Sequence, residues 1–355
     1  MNSPCSTQTC SLPDTDLGSA AGAAKLGRTA SAWTLGDHLG AIGVRLNIGR
    51  MGYRVTPGLY ALGAPGSDAP VLVTANYKLS FDHLRRALTG LNAWLLVLDT
   101  KGINVWCAAG KGTFGTDELV RKINECRLHE RVTHRRLILP QLGAPGVAAH
   151  EVRRQTGFAV VYGSVYATDI AAFLQADLQA TPAMRRIRFS WHERLAVAPL
   201  ELVLYFKQLL LLGLALALLA CVPTAGHFWS GFEHRGILVF LLFVLTGALA
   251  SLLGPLLLPW LPTRAFSIKG ACLGVALAVP GLWLAGPAWS VLRTTAWILL
   301  LAAGASHLLL KFTGSTTFTS PSGVRREVRV ALPAQIAIGL AGLVAWTVAG
   351  FLPGW

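Results

Sequence analysis

Apolar residues are spread unevenly along this chain of 355 residues. Residues 1–197 alternate short apolar runs with polar segments, whereas residues 198–355 contain long apolar runs with very few charges. Five of these runs approach the ~20 residues that a helix needs to cross the hydrocarbon core of a bilayer. They predict transmembrane helices at about 200–222, 237–259, 268–285, 289–310 and 332–352.

The basic residues predict how these helices are oriented. They cluster between the second and third runs and between the fourth and fifth, whereas the loop between the third and fourth carries no charge. The members of the two clusters are Arg264, Lys269, Lys311, Arg325, Arg326 and Arg329. Because basic loops stay on the cytoplasmic side, we expect a multi-pass protein of the cytoplasmic (inner) membrane with its N-terminal half in the cytoplasm and its C-terminus outside. Residues 1–30 lack the apolar core of a signal peptide, which agrees with that orientation.

The net charge of +14 would also suit a nucleic-acid-binding protein. Many of the Arg and Lys residues flank the apolar runs, however, where membrane orientation already accounts for them. We therefore expect membrane lipid, and no nucleic acid, as a partner. No run contains the paired charges of an ion or proton path, so the membrane half is interpreted as an anchor or passive conduit.

Strand-like and helix-like segments alternate in the first half of the chain. Short apolar strands are predicted at 71–74, 94–98, 137–139 and 159–161, with amphipathic helices between them. Such alternation favours an open, mostly parallel sheet, and therefore an α/β domain followed by an all-α polytopic membrane domain of five helices. The predicted divisions are a flexible N-terminal tail and lead-in (1–44), an α/β domain (45–184), a basic linker (185–199) and the membrane domain (200–355).

Ligands of such sheets bind beyond the carboxyl ends of the strands. In this chain those ends are followed by small and polar residues, which we expect to surround one crevice. The segments are 74–76, 99–101, 141–146 and 163–164.

The segment KGINVWCAAGKGTFGT, residues 101–116, contains the strongest chemical signal. Asn104 can cap a short helix that ends at the glycines, with Cys107 in its first turn and Lys111 one turn later on the same face. The alanines and glycines around Cys107 predict a surface with little side-chain bulk, on which a flat group could lie. A buried structural cysteine is the alternative. A phosphate-binding loop is disfavoured, because the glycine spacing fails the Walker pattern.

The run NVWCAAGK closely resembles the cap-helix motif of the HgcA family, corrinoid proteins that methylate mercury. Similarity extends to PGLYALGAP, PVLVTANYKLSFDHLRRAL, LPQLGAPGVAAHEV and VVYGSVYATDIAAFL. These segments look like the corrinoid domain that the HgcA family shares with the large subunit of the corrinoid iron–sulfur protein of acetyl-CoA synthesis. The resemblance implies a Rossmann-like domain in which a cobalamin-type corrinoid lies between the sheet and the cap helix.

The resemblance also implies the residues of the site. Cys107 would be the lower axial ligand of cobalt and the catalytic residue. The cofactor would contact the cap and the loops that hold its nucleotide tail, namely Asn104, Val105, Trp106, Cys107, Ala108, Ala109, Gly110 and Lys111 in the cap and Thr74, Gly143, Gly146, Val147 and Gly163 in the loops.

The activity implied by the resemblance is transfer of a methyl group from methyl-Co(III) corrinoid to Hg(II), which forms methylmercury. A donor system derived from methyl-tetrahydrofolate would supply the methyl group, and a ferredoxin-like partner with 4Fe–4S clusters (HgcB) would restore Co(I). A corrinoid methyl carrier of a folate or acetyl-CoA-type one-carbon pathway is the alternative. A transporter or receptor with a ligand-sensing domain is a third possibility, which the lack of intramembrane charge pairs disfavours.

The connector 312–331 is longer than a plain loop needs to be. Its alternating TTFTS and VRREVRV segments predict a β-hairpin that turns at residues 320–323. The segment is interpreted as a polar connector whose positive charge stays inside, and a docking surface for the cytoplasmic domain or a partner is the alternative.

Overall fold

The computed structural model describes residues 26–221, 228–285, 289–316 and 319–352. The chain divides into two compact units. The first, called the soluble unit here, contains residues up to Trp33 and Arg54–Arg185. The second, called the membrane unit, contains Thr34–Tyr53 and residues from Arg186 onward.

The soluble unit is built on a six-stranded sheet. Its strands are β1 (Gly27–Thr29), β2 (Gly58–Leu62), β3 (Val71–Ala75), β4 (Ala93–Leu98), β5 (Arg136–Leu139) and β6 (Ala159–Tyr162). They lie in the order β1-β2-β4-β3-β5-β6, and all neighbours are parallel except β2 and β4. The predicted mostly parallel sheet is confirmed. Because β4 and β5 flank β3, the chain reverses direction across the sheet after β4, which opens a crevice at the carboxyl ends.

Helices cover both faces of this sheet. They are α2 (Lys78–Ala87), α3 (Val105–Lys111), α4 (Thr116–Glu125), α5 (Leu128–Arg131), α6 (Ala149–Thr156) and α7 (Ile170–Gln175). Apolar residues of α3, α4 and α6 form one core with the sheet, and those of α2 and α7 form a second core on its other face. Strands covered on both faces carry continuous apolar runs, as β3 and β4 do.

Within the residues that the structure describes, the membrane unit contains five helices that are long and apolar enough to cross a membrane. Its helices are α1 (Leu35–Arg45), α8 (Trp191–Cys221), α9 (Phe228–Gly231), α10 (Ile237–Leu257), α11 (Phe266–Ala285), α12 (Val291–Phe312) and α13 (Pro321–Phe351). A π-helical turn, Phe232–Gly236, leads into α10. Trp297 of α12 is fully buried and lies in a core with Phe243 and Trp346.

Two of the predicted divisions of the chain differ from this structure. Residues 26–44 are not all a flexible lead-in, since β1 adds a strand to the sheet edge and a capping box between Thr34 and Asp37 begins α1. The prediction for residues 1–25 lies outside the described residues. The basic linker 185–199 is partly helical, because α8 begins at Trp191.

The predicted β-hairpin in the connector 312–331 is wrong. Ser320 caps the start of α13 by accepting a hydrogen bond from the Gly323 backbone N–H, and Pro321 occupies the first turn. Proline is favoured there because the first-turn N–H groups have no helical partner. Helix α13 therefore includes the VRREVRV segment and begins before the predicted fifth span.

Candidate functional site

Asn76 organises the crevice at the carboxyl ends of β3 and β4. It follows β3 directly and is 2% exposed. Its Oδ1 accepts hydrogen bonds from the backbone N–H groups of Thr100 (3.1 Å) and Gly102 (2.9 Å), and its Nδ2 donates to Asp99 Oδ1 (3.2 Å). The side chain thus satisfies backbone groups that the sheet leaves unpaired. It fixes the turn that follows β4.

That turn positions helix α3. Lys101 and Gly102 both have positive φ angles, 60° and 75°, so the chain reverses sharply within two residues. Asn104 then adopts extended backbone geometry, and its Oδ1 accepts a hydrogen bond from the Cys107 N–H at 2.9 Å. This is the N-cap that the sequence predicts. The cap fixes the backbone of Cys107 in the first turn of α3.

Helix α3 has a buried face and an outward face. Ala108 and Ala109 are 0% and 6% exposed and belong to the core of the soluble unit. Cys107 is half-buried, whereas Gly110 and Lys111 are exposed. The outward face therefore carries the Cys107 thiol and the Lys111 amine, and Gly110 adds no side chain to it. Gly110 and Lys111 follow Cys107 by three and four residues, a spacing that puts residues on the same face of a helix.

The loop after β5 supports the buried face of α3. A Cβ at Gly146 would overlap the Phe114 carbonyl oxygen and lie 3.0 Å from Ala109 Cα, and one at Gly143 would lie 2.6 Å from the Phe114 ring. These positions accept only glycine without movement of their neighbours. The prediction of an open surface around Cys107 is therefore wrong for Ala108 and Ala109, which are buried in this close packing.

The other predicted cofactor residues lie around the same crevice and are mostly buried. Thr74 and Val147 are 3% and 5% exposed. Gly163 is also buried, and a Cβ there would meet Ile138 and Phe173. Tyr162 donates a hydrogen bond from its hydroxyl to the Val147 carbonyl at 2.6 Å, which joins the end of β6 to the loop after β5. Val105 and Trp106 are partly buried.

Sequence reasoning placed the segment of Asn76 at the crevice but missed the role of its side chain. A polar amide directly after a buried strand was the available signal. Thr116 has a second supporting role, since its hydroxyl accepts a hydrogen bond from the Ala148 N–H at 2.9 Å and so ties the first residue of α4 to the start of α6.

Cys107 and Cys126, the cysteines of the soluble unit that lie within the described residues, have different surroundings. Cys126 ends α4, is 7% exposed, and has its pKa raised chiefly by burial. Cys107 reaches solvent beside Lys111. Since the thiolate is the reactive form, the geometry favours Cys107 as the thiol that is available for chemistry and Cys126 as a packing residue.

Comparison with known proteins shows what part of this chain is similar to. Residues 46–174 match the family model described as CdhD, the CO dehydrogenase/acetyl-CoA synthase delta subunit. Relatives include the acetyl-CoA decarbonylase/synthase complex subunit gamma of Archaeoglobus fulgidus, 34% identical over 126 residues, and that of Methanopyrus kandleri, 32% identical over 125 residues. The corrinoid/iron–sulfur protein large subunit of Moorella thermoacetica is 31% identical over 127 residues.

Each of these matches covers 35% of this chain and 26%, 27% and 28% of the respective relative. The chain thus spans about a quarter of the length of the curated relatives it matches. The printed names refer to acetyl-CoA synthesis and to a corrinoid/iron–sulfur protein, and none of the three refers to mercury. The region similar to this corrinoid family contains α3 and the strand-end loops, and except for residues 46–53 it lies within the soluble unit.

Proposed function

We propose that the soluble unit binds a corrinoid at the carboxyl ends of its strands and that the protein carries a methyl group for a one-carbon reaction. This is the carrier function that the sequence left as the alternative, and the names of the relatives favour it. The single observation that carries the proposal is the outward face of α3, with Cys107 beside Gly110, within the stretch 46–174 that matches the family.

Two features of the site fit a corrinoid. A Cβ built on Gly110 meets nothing within 4 Å, so the outward face of α3 is open beside the Cys107 thiol and could accept a flat ring. In the loop after β5, Gln141 Oε1 is buried and has no hydrogen-bond partner among the described residues. The edge of a corrin ring carries amide groups, whose N–H donors match such an acceptor.

The chain's own residues would hold the cofactor in a fixed position. When bound, a corrinoid supplies a cobalt centre that can take up and release a methyl group. Cys107 is the residue that we assign as the protein ligand of cobalt, because its backbone is held by Asn104 and its side chain is on the outward face. Asn76 and the packing of Ala109 on Gly146 hold this helix in place before the ligand arrives. A thiolate ligand from Cys107 would tune the reactivity of the metal.

The membrane unit would keep this chemistry at a membrane. The basic residues near the ends of the five helices favour a cytoplasmic soluble unit and an inner-membrane location. A reductant and a methyl donor would then come from the cytoplasm, and a 4Fe–4S ferredoxin and a methyl-tetrahydrofolate-derived system are the partners that the resemblance implies.

Methyl transfer to Hg(II) is the second candidate function. The outward cysteine on the cap helix and the five-helix unit outside the matched stretch favour it, since both are features of the HgcA resemblance. A thiolate donates electron density strongly, and Hg(II) is an electrophile that needs a methyl group with carbanion character. Ordinary methyl carriage to a thiol or a nickel cluster does not need such a ligand.

The experiment uses the full chain, loaded with corrinoid under anaerobic conditions. Wild type is compared with Cys107→Ala and with Cys272→Ala, which removes an exposed thiol of the membrane unit. We expect corrinoid to co-purify with all three. Only Cys107→Ala should lose the absorption changes that accompany thiolate ligation of cobalt.

A second measurement separates the two functions. Each loaded protein is given a methyl donor, a ferredoxin reductant and Hg(II). If wild type and Cys272→Ala form methylmercury and Cys107→Ala does not, the second candidate is supported. If the proteins bind corrinoid and methylate it but form no methylmercury, only the carrier function is supported. Wild-type protein that retains no corrinoid would contradict both.

A further inference from the structure

Helix α1 presents an apolar stripe to its surroundings. Leu35, Leu39 and Ile42 are 75%, 59% and 55% exposed. They recur every three or four residues and so lie on one side of the helix. Ile48 and Met51, which follow the helix, are 68% and 73% exposed. Single exposed apolar residues are ordinary on a protein surface, but a continuous row of this kind marks an interaction surface.

The opposite side of α1 is packed within the membrane unit. Ala41 and Val44 are 2% and 1% exposed. The helix contacts α8, the first of the five long apolar helices. Tyr53 covers Gly40, where a Cβ would overlap its ring. Helix α1 therefore packs through the face of Ala41 and Val44. The apolar stripe lies on the other face and takes no part in this packing.

Charge along this segment is also distributed unevenly. Asp37 is the one carboxylate in residues 34–53. It is 7% exposed, and its Oδ2 accepts hydrogen bonds from the backbone and hydroxyl of Thr34. Arg45 and Arg50 follow the stripe and are half-buried, and each donates one hydrogen bond to a backbone carbonyl of α1, at Ala41 (3.0 Å) and Val44 (3.2 Å). The stripe is thus followed by partly exposed positive charge, and it contains no carboxylate.

We propose that α1 lies flat in the headgroup region of the bilayer, with its leucine and isoleucine stripe toward the acyl chains and its arginines at anionic phospholipid headgroups. An apolar face with flanking cations is typical of interfacial helices. The contact with α8 supports a lipid occupant, because α8 is itself a membrane-spanning candidate. The chain also enters residues 34–53 and α8 from the same soluble unit, at Trp33 and at Arg185, so both segments reach the membrane from one side.

This arrangement would give the soluble unit more than one attachment to the membrane. The chain returns from α1 to the soluble unit at Arg54 and leaves it again at Arg185.

The test places the photo-reactive residue p-benzoylphenylalanine at position 39 or 42 of the full chain. The protein is reconstituted in vesicles of phosphatidylcholine and phosphatidylglycerol and irradiated, and the adducts are identified by mass spectrometry. Position 130, where Glu130 is exposed on the soluble unit, is the control. We expect phospholipid adducts at 39 and 42 to exceed those at 130 several-fold. Cross-links from 39 or 42 to residues 54–185, cross-links to a second copy, or no adduct would each overturn the proposal.

A second comparison tests the choice of lipid. The double variant Arg45→Gln/Arg50→Gln is compared with Arg154→Gln, which removes an exposed arginine of the soluble unit. We expect the double variant alone to lose the preference for phosphatidylglycerol over phosphatidylcholine among the adducts at position 42. Unchanged preference in the double variant would contradict the role of the arginines at anionic headgroups.

Discussion

The soluble and membrane units place buried polar side chains on different parts of the backbone. In the soluble unit, Asn76 accepts hydrogen bonds from two N–H groups of an irregular turn. In the membrane unit, Lys269 is 8% exposed, and its Nζ donates to the carbonyls of Leu258 (2.7 Å) and Leu261 (2.6 Å), which follow the end of α10. Both side chains satisfy backbone groups that regular structure leaves free. One thereby shapes a loop at a candidate ligand site, and the other closes the end of a helix.

Two further charged side chains of the membrane unit, Glu327 and Arg293, bond to backbone groups as Lys269 does. Glu327 Oε1 accepts a hydrogen bond from the Ser267 N–H at the start of α11 (2.7 Å). Arg293, which is 1% exposed, donates to the Ala349 carbonyl near the end of α13 (3.0 Å). Arg293 lies within the predicted fourth span. All three side chains thus bond to backbone groups near helix ends, which is a structural role.

The most severe test of the loop packing is Gly146→Ala. The added Cβ would overlap the Phe114 carbonyl, so the loop after β5 and helix α3 would have to separate. We expect a loss of about 3 kcal/mol or more in the free energy of unfolding, together with loss of corrinoid retention. Thermal unfolding and cofactor content of the full chain measure both effects.

Gly110→Ala is the matched control, because its Cβ would meet nothing. Replacing a helical glycine by alanine should stabilise α3 by about 0.5–1 kcal/mol in the absence of ligand. Equal destabilisation by the two substitutions would contradict the division of α3 into a packed face and an open face.

Asn76→Ala should have the next largest effect. It leaves the N–H groups of Thr100 and Gly102 without their acceptor in a buried turn, which we expect to cost about 2 kcal/mol or more. Because the turn leads into α3, corrinoid affinity should fall as well. Asn92→Ala, which removes one exposed hydrogen bond to the Ala64 N–H, is the control and should change stability by less. Unchanged corrinoid affinity in Asn76→Ala would show that the turn does not position the site.

Lys269→Met tests the corresponding contact in the membrane unit. It removes the donor to two carbonyls beyond α10, and we expect about 1–2 kcal/mol of destabilisation, measured as thermal unfolding in detergent. Corrinoid affinity of the soluble unit should stay at the wild-type value, in contrast to Asn76→Ala. Lys207→Met, at an exposed position of α8, should leave stability nearly unchanged. A loss of corrinoid affinity in Lys269→Met would contradict the proposal that Asn76 shapes the ligand site whereas Lys269 only bonds to the end of a helix.

The sequence predicted the features that depend on local pattern. The parallel strands and the five apolar helices follow from continuous apolar runs, and the cap at Asn104 follows from its residue type. The direction of Ala108 and Ala109 could not be predicted in this way, because it depends on contact with Gly146 in a loop more than thirty residues away. The start of α13 was misread since a Ser-Pro pair suits both a turn and the first turn of a helix.

The smallest expected effect concerns an exposed ion pair in the same turn as Asn76. Lys101 Nζ lies 2.7 Å from Asp99 Oδ2, and this hydrogen bond is the main cause that lowers the pKa of Asp99 from its ordinary value of 3.8. A lowered pKa means that the ionised form stabilises the fold at neutral pH and that this contribution is lost as the pH falls below 3.8 through the lowered value. Lys101 is 69% exposed, so solvent screening limits the contribution to about 0.2–1 kcal/mol. We therefore expect Lys101→Gln to lower the thermal stability slightly at neutral pH and to match wild type once Asp99 is protonated. A stability difference that persists at low pH would mean that Lys101 acts through its left-handed backbone position and not through its charge. The Lys101–Asp99 ion pair would then not contribute to the stability of this turn.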